Sequence, residues 1–240
     1  MPSTRDGIDP GPVAALTRVP RERGGERVLT TLTPSASRAY TVATLRAAGG
    51  AERRLGRGVV ANRIDARGQL EPWRRARARW RSDLAAAARE SSVEAVFKGD
   101  VRDCYGAMTI ALVGRRLTAT GADTASVRAV LDLLDTCAEQ GVRGLPVGPG
   151  ASAVLANVVL ATVDDRLRSA GLAFRRWVDD VVVVAPDRRG ILVAYDAFRR
   201  GLDELGLAPN PEKTRVLNHR AEIKRLVGSK ISPLELPAMG

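Results

Sequence analysis

Three acidic side chains sit in apolar surroundings. Asp179 and Asp180 interrupt the run Phe174–Ala185, where four consecutive valines follow the pair, and Asp100 closes an apolar stretch beginning at Val93. The flanking β-branched and aromatic residues predict a strand over Val93–Val101 and two strands joined by a tight turn over 174–185, with the aspartates at the turn. An Asp-Asp pair has a plain explanation, because Asp accepts turn geometry and hydrogen-bonds its own backbone. Asp164-Asp165 reads that way, on the exposed side of a helix end. Asp179-Asp180 differs in its setting. Two carboxylates about 4 Å apart repel by about 4 kcal/mol at an effective dielectric near 20, so adjacent acids between valine-rich strands call for a cation. Oxygen donors without His or Cys suit Mg²⁺ or Mn²⁺. Two such ions about 4 Å apart activate a hydroxyl and stabilise a leaving group in phosphoryl transfer. Asp100, on a neighbouring strand, would supply the third carboxylate.

Composition removes several competing chemistries. The two cysteines, Cys104 and Cys137, cannot build a disulfide framework or a four-cysteine zinc site. One histidine, His219, excludes multi-histidine metal sites and argues against Ser-His-Asp catalysis. No apolar run approaches the ~20 residues of a bilayer span and the N-terminal residues hold no apolar stretch of the roughly 7–15 residues that a signal peptide uses, so the expected location is cytoplasmic, with no membrane partner. The 240 residues carry 38 Lys+Arg against 27 Asp+Glu, a balance of +11. Such a surface attracts phosphate backbones, although an Ala- and Arg-rich composition produces the same balance.

The elements that must position the acids read as an α+β pattern without regular βαβ alternation. Residues 1–27 read as a disordered basic arm, rich in Pro, Gly and Arg. A helix over Tyr40–Ala48 is expected to end at Gly49-Gly50, and Val59–Ile64 reads as a strand with a turn at Asp65 and Gly68. Residues 72–90 form an amphipathic helix, with Trp73, Ala76, Trp80, Leu84 and Ala88 on one face and Arg74, Arg75, Arg77, Arg79 and Arg81 over the rest. Those arginines suit a solvated face or phosphate contact. Val127–Ala138 and Ile191–Leu202 are amphipathic helices, Gly141–Gly150 is a loop, and Ala151–Leu167 is a largely buried helix.

Four blocks, in order, resemble the reverse transcriptases. Lys98-Gly99-Asp100-Val101-Arg102-Asp103-Cys104-Tyr105 is similar to the first palm motif, an Asp followed five residues later by an aromatic. Gly144-Leu145-Pro146-Val147-Gly148-Pro149, with Ser152 and Asn157, resembles the second. Trp177-Val178-Asp179-Asp180 resembles the aromatic-x-Asp-Asp hairpin. Leu205-Gly206-Leu207, then Asn210-Pro211-Glu212-Lys213-Thr214, resembles the block that a lysine closes. The resemblance implies a right hand of fingers and palm, with an antiparallel palm sheet packed on helices. The fingers-like region would be 28–92, the palm-like catalytic region 93–217 and a short C-terminal extension 218–240. Because 240 − 213 leaves 27 residues after Lys213, the thumb is expected to be truncated or rudimentary, with a protein or RNA partner replacing it.

The same resemblance implies roles. Asp100, Asp179 and Asp180, with the Val101 main chain, would hold two Mg²⁺ or Mn²⁺ ions. Tyr105 would pack under the incoming sugar and exclude a 2′-hydroxyl. Gly148 and Ser152 would lie near the nascent base pair and template, Lys213 near the triphosphate as a proton donor. Arg63 would contact the triphosphate from the fingers, with Arg57, Arg67 and Lys98 as rivals. The partners implied are an RNA template, a DNA primer or product, and dNTPs. Val147 replaces the usual Gln, and Trp177 the usual Tyr or Phe. The Pro-Val-Gly-Pro form and the Val before Asp-Asp are closer to bacterial abortive-infection and unclassified defence-type enzymes, which implies a role in phage defence and includes untemplated synthesis. Two other readings stand beside an RNA-directed DNA polymerase: a catalytically degenerate palm that only binds nucleic acid, and an RNA-dependent RNA polymerase, which Tyr105 argues against.

Overall fold

A computed structural model describes residues 13–20, 24–89 and 95–217. Its centre is a four-stranded antiparallel sheet built from β3 (Ala95–Gly99), β4 (Phe174–Trp177), β5 (Asp180–Ala185) and β6 (Arg215–Leu217), in the order β4-β5-β3-β6. Side chains alternate between the two faces of a strand, and here both faces are covered. Phe97, Val181, Val183 and Ala185 enter the main core. Val96, Val182 and Leu217 enter a second cluster with Val60, Trp80 and Leu84. An antiparallel strand with one wet face would alternate apolar and polar residues; burial on both sides explains the uninterrupted valines of β5.

The helix α2 (Trp73–Arg89) closes the second face. Trp80 meets Trp177 edge-on, with ring centroids 6.0 Å apart, and Arg175 pairs with Asp83 at 3.1 Å. The main core is helical: α1 (Pro34–Glu52), α4 (Ile110–Ala119), α5 (Thr124–Glu139), α6 (Gly150–Ser169) and α7 (Arg188–Asp203), with the single turn α3 (Cys104–Ala107) after β3. Helix α6 is buried on most sides, as its apolar sequence requires. It packs so closely on α7 that a Cβ at Gly201 would lie 2.7 Å from Val163 Cα.

Four expectations change. The supposed disordered arm contains β1 (Ala14–Pro20), which pairs antiparallel with β2 (Glu26–Leu32); residues 1–12 lie outside the described residues. Inward Thr30 and Leu32 give β2 a buried face. Helix α1 starts at Pro34, where the Thr33 side chain accepts from the Ala36 N–H, and runs through Gly49-Gly50 to Glu52. Buried Ala47, Ala48 and Ala51 keep its inner face continuous, so packing outweighs the glycine pair. Residues 59–64 form no strand: Val59 and Ile64 make isolated bridges to Arg176 and Leu70, and Asn62, at φ +52, breaks the extended path. Strand β6 follows directly on the block that ends at Thr214, where the sequence predicts no strand. The extension 218–240 and the first residues of the expected strand at Val93 lie outside the described residues.

Candidate active site

The aspartate pair sits on a hairpin. Trp177 pairs with Asp180, leaving Val178 and Asp179 as a two-residue loop. Such loops need positive φ at their first central residue, and Val178 takes φ +51. A β-branched residue rarely adopts that conformation. It is buried, and its carbonyl accepts a hydrogen bond from Arg176 Nη1 at 3.0 Å.

Strand β3 brings the third acid. Gly99 pairs with Val181, so the register carried one residue further sets Asp100 across from Asp180. Asp100 is 3% exposed. The segment 210–214 holds it from the other side. Asn210 donates its N–H to the Asp100 carbonyl at 2.8 Å and its Nδ2 to Oδ1 at 2.9 Å. Lys213 Nζ donates to Oδ2 at 3.2 Å, and the Thr214 hydroxyl donates to the Asp100 carbonyl at 3.3 Å. Lys98 on β3 pairs with Asp180 at 3.2 Å.

Electrostatics ties the three acids together. Burial pushes the Asp179 carboxyl up to about 7, and the charges of Asp180 and Asp100 add to the effect. Burial also raises Asp100, opposed by Lys213 and reinforced by Asp180. Among the described residues no three acidic, imidazole or thiol groups stand at metal-ligand spacing; lysine ammonium groups neutralise two of the acids. The donor set itself, three carboxylates on neighbouring strand ends without soft ligands, fits a hard divalent cation. Val101 follows Asp100, buried, in a bridge with Pro209.

Tyr105, on α3, is half-buried. Burial raises its phenol well above the usual range, and Asp179 is the foremost charge acting on it. The loop before α6 is fitted to it. Leu145 donates its N–H to the Tyr105 carbonyl at 2.9 Å. Gly144 takes φ +66, and any Cβ there would collide with that carbonyl oxygen. Gly148, at φ +133, is half-buried beside Thr30.

Three sequence expectations are corrected. Ser152, expected near the nascent base pair and template, is fully buried, its hydroxyl 3.0 Å from Tyr40 Oη, so its side chain is closed to a template. Arg63 does not face the acids with free donors. Its Nε pairs with Glu52, Nη1 donates to the carbonyls of Gly56 and Val59, and Nη2 donates to those of Glu52 and Leu55. Five N–H donors are all a guanidinium has, so none is left for a triphosphate. Arg63 instead ties down the C-terminal end of α1. Asp164 is not on an exposed helix end either. It is fully buried and forms a two-pronged pair with buried Arg176. The sequence singles out neither Arg176 nor the hold of Asn210 and Thr214 on Asp100. Arg176 had one signal: in Phe174-Arg175-Arg176-Trp177-Val178 it occupies an inward alternate position.

A family model described as reverse transcriptase (RNA-dependent DNA polymerase) matches residues 54–230. Telomerase from Candida albicans, solved with a fragment of telomeric RNA, is similar at a TM-score of 0.57 and 14% identity, over 85% of this chain and 41% of that one. Telomerase from Candida tropicalis truncated from its C-terminal domain is similar at a TM-score of 0.54 and 13% identity, over 89% of this chain and 51% of the other. This chain therefore spans about half the length of those solved chains, or less, and identities so low show the fold alone. No curated protein matches.

Proposed function

We propose that this chain, which belongs to the reverse transcriptase (RNA-dependent DNA polymerase) family, adds deoxynucleotides to the 3′-hydroxyl of a primer on an RNA template. The observation that carries this reading is the register that sets Asp100, at the end of β3, across from Asp180 on the hairpin, with Asp179 next to it in the loop.

Family membership implies dependence on a divalent metal, and Asp100, Asp179, Asp180 and the Val101 main chain are the residues that would hold two Mg²⁺ or Mn²⁺ ions. When bound, such ions activate the attacking hydroxyl and stabilise the charge of the leaving group. The chain's own residues do the rest. Asn210, Lys213 and Thr214 fix Asp100 in place. Lys98 and Lys213 keep positive charge beside the acids, where a triphosphate would arrive. Lys213 Nζ, 3.2 Å from Asp100 Oδ2, would hold a proton for the pyrophosphate leaving group and is the candidate general acid. Tyr105, backed by Gly144 and the Leu145 amide, presents a ring beneath the nucleotide sugar, and Gly148 lies on the template side. Exposed Arg74, Arg75 and Arg81 on α2 suit nucleic-acid phosphates. Among the described residues no helix is long and apolar enough to cross a membrane. The Pro-Val-Gly-Pro loop supports a place among defence-type bacterial enzymes, hence a role against phage in the cytoplasm.

The test is primer extension on RNA with dNTPs and Mg²⁺ or Mn²⁺. Wild-type protein is expected to extend the primer and Asp179→Ala to lose at least a hundredfold; no extension with either metal would overturn the reading. Tyr105→Ala is expected to raise ribonucleotide incorporation, and an unchanged sugar preference would remove Tyr105 as the sugar gate. The lysine pairs at Asp100 and Asp180 also suit a palm that binds nucleic acid without metal. Binding that needs no divalent ion and survives Asp100→Ala would favour that second reading.

A further inference from the structure

Among the described residues Arg176 is the bulkiest of the fully buried side chains. Its Nε and Nη2 donate to the two oxygens of Asp164 at 2.7 and 2.6 Å, and its Nη1 donates to Asn157 Oδ1 at 2.8 Å and to the Val178 carbonyl at 3.0 Å. Asp164 is as fully buried. Stability alone does not account for such a pair, because well-packed apolar residues of similar volume commonly serve as well or better. Only the guanidinium's planar fork can grip two residues of α6 and still reach the hairpin loop.

The grip falls at the loop's weakest point. Val178 holds a positive φ that a β-branched side chain disfavours, and such conformations persist where the surroundings over-determine them. Its carbonyl belongs to the same rigid peptide plane as the Asp179 N–H. A hydrogen bond that fixes this carbonyl therefore fixes the orientation in which Asp179 leaves the turn. The far end of the grip is firm. Asn157 and Asp164 lie seven residues apart, two turns along one face of α6. Asn157 Nδ2 donates to the Ala61 carbonyl at 2.8 Å. Arg176's own N–H donates to the Gly58 carbonyl at 2.7 Å, and its carbonyl accepts from the Val60 N–H at 3.0 Å.

We propose that Arg176, braced by Asp164 and Asn157, is a positioning residue that sets the Val178–Asp179 peptide and thereby aims the Asp179 carboxylate at the cation site. The inference rests on the reading of Asp179 as a metal-bearing carboxylate.

Two variants of the full chain separate positioning from folding. Arg176→Met with Asp164→Leu replaces the buried charges together, so neither is stranded; Arg176→Lys keeps the charges and loses the fork. Thermal melting checks that each folds, and Mn²⁺ titration followed by electron paramagnetic resonance reads the cation site without any need for turnover, with Asp179→Ala as the reference for its loss. Each folded variant is expected to bind Mn²⁺ at least tenfold more weakly than wild type, and to lose kcat at least tenfold in primer extension with KM for primer-template unchanged. A folded variant that binds Mn²⁺ as tightly as wild type overturns the inference. If the double variant fails to fold, Arg176→Lys decides by the same criterion. Wild-type protein that binds Mn²⁺ through Asp179 yet extends no primer would defeat the polymerase reading and leave the positioning role standing.

Discussion

Asp179 is held against its own preference. An ionised carboxylate there meets burial and two neighbouring acids, so the folded chain keeps its proton up to about pH 7, whereas an unfolded Asp releases it near 3.9. The folded state thus binds more protons between those values, and stability falls as pH rises through that window. In metal-free buffer Asp179→Asn is expected to melt a few degrees above wild type at pH 8 and level with it at pH 4; saturating Mg²⁺ should narrow the gap at pH 8. An equal melting temperature at pH 8 would show that the acids do not strain the fold. These acids were readable in the sequence because their apolar flanks made them anomalous. Their supports were not. Arg176 sits beside Arg175 in a chain with many arginines, and Asp164 is masked by its exposed twin Asp165. The five carbonyl and carboxylate partners of Arg63 meet only when α1 ends beside the loop that follows it, a proximity no local pattern encodes.

At the scale of elements, periodicity succeeded where burial is one-sided. Ile191, Ala194, Phe198 and Leu202 repeat at helical spacing and are all buried in α7. Periodicity failed where punctuation residues misled. Pro20, Gly24 and Gly25 suggested a loose arm, yet the β1–β2 hairpin closes around them, and its Thr30 N–H reaches the Val147 carbonyl at 2.8 Å. Gly49-Gly50 suggested a helix stop, but each glycine weakens a helix by only about 1 kcal/mol relative to Ala, and buried Ala47, Ala48 and Ala51 carry α1 past the pair. Gly201 shows the opposite case, a helical glycine whose lack of side chain matters. Gly201→Ala would press a methyl against the α6 backbone at Val163, so a loss of about 1–3 kcal/mol is expected in chemical denaturation, as for other overpacked cores. A loss below about 0.5 kcal/mol would mean that α6 and α7 can separate freely.

For the whole molecule, the net charge of +11 indicated affinity for phosphate without saying which face carries it. Some of the arginine is internal wiring. Arg176 and Arg63 hold backbone and buried acids, and Arg79 pairs with Glu71 at 2.6 Å and donates to the Val60 carbonyl at 3.0 Å. Arg74, Arg75 and Arg81 are exposed along α2. Replacing these three by Ala is expected to weaken primer-template binding and to flatten the slope of log K against log salt by about 0.9 for each phosphate that is no longer neutralised. An unchanged slope would place the nucleic acid on another face.

The middle position of β3 also governs motion. The strand is hydrogen-bonded on both edges, roofed on both faces, and it delivers Asp100 directly from its end. Its amides have no local route to solvent, so in hydrogen–deuterium exchange they should be among the last to label, opening only when the entire chain unfolds, while the largely exposed β1 labels early. The end of the sheet that carries Asp100 is then as rigid as the chain can make it, and any movement beside it is expected to arise in the segments that surround it.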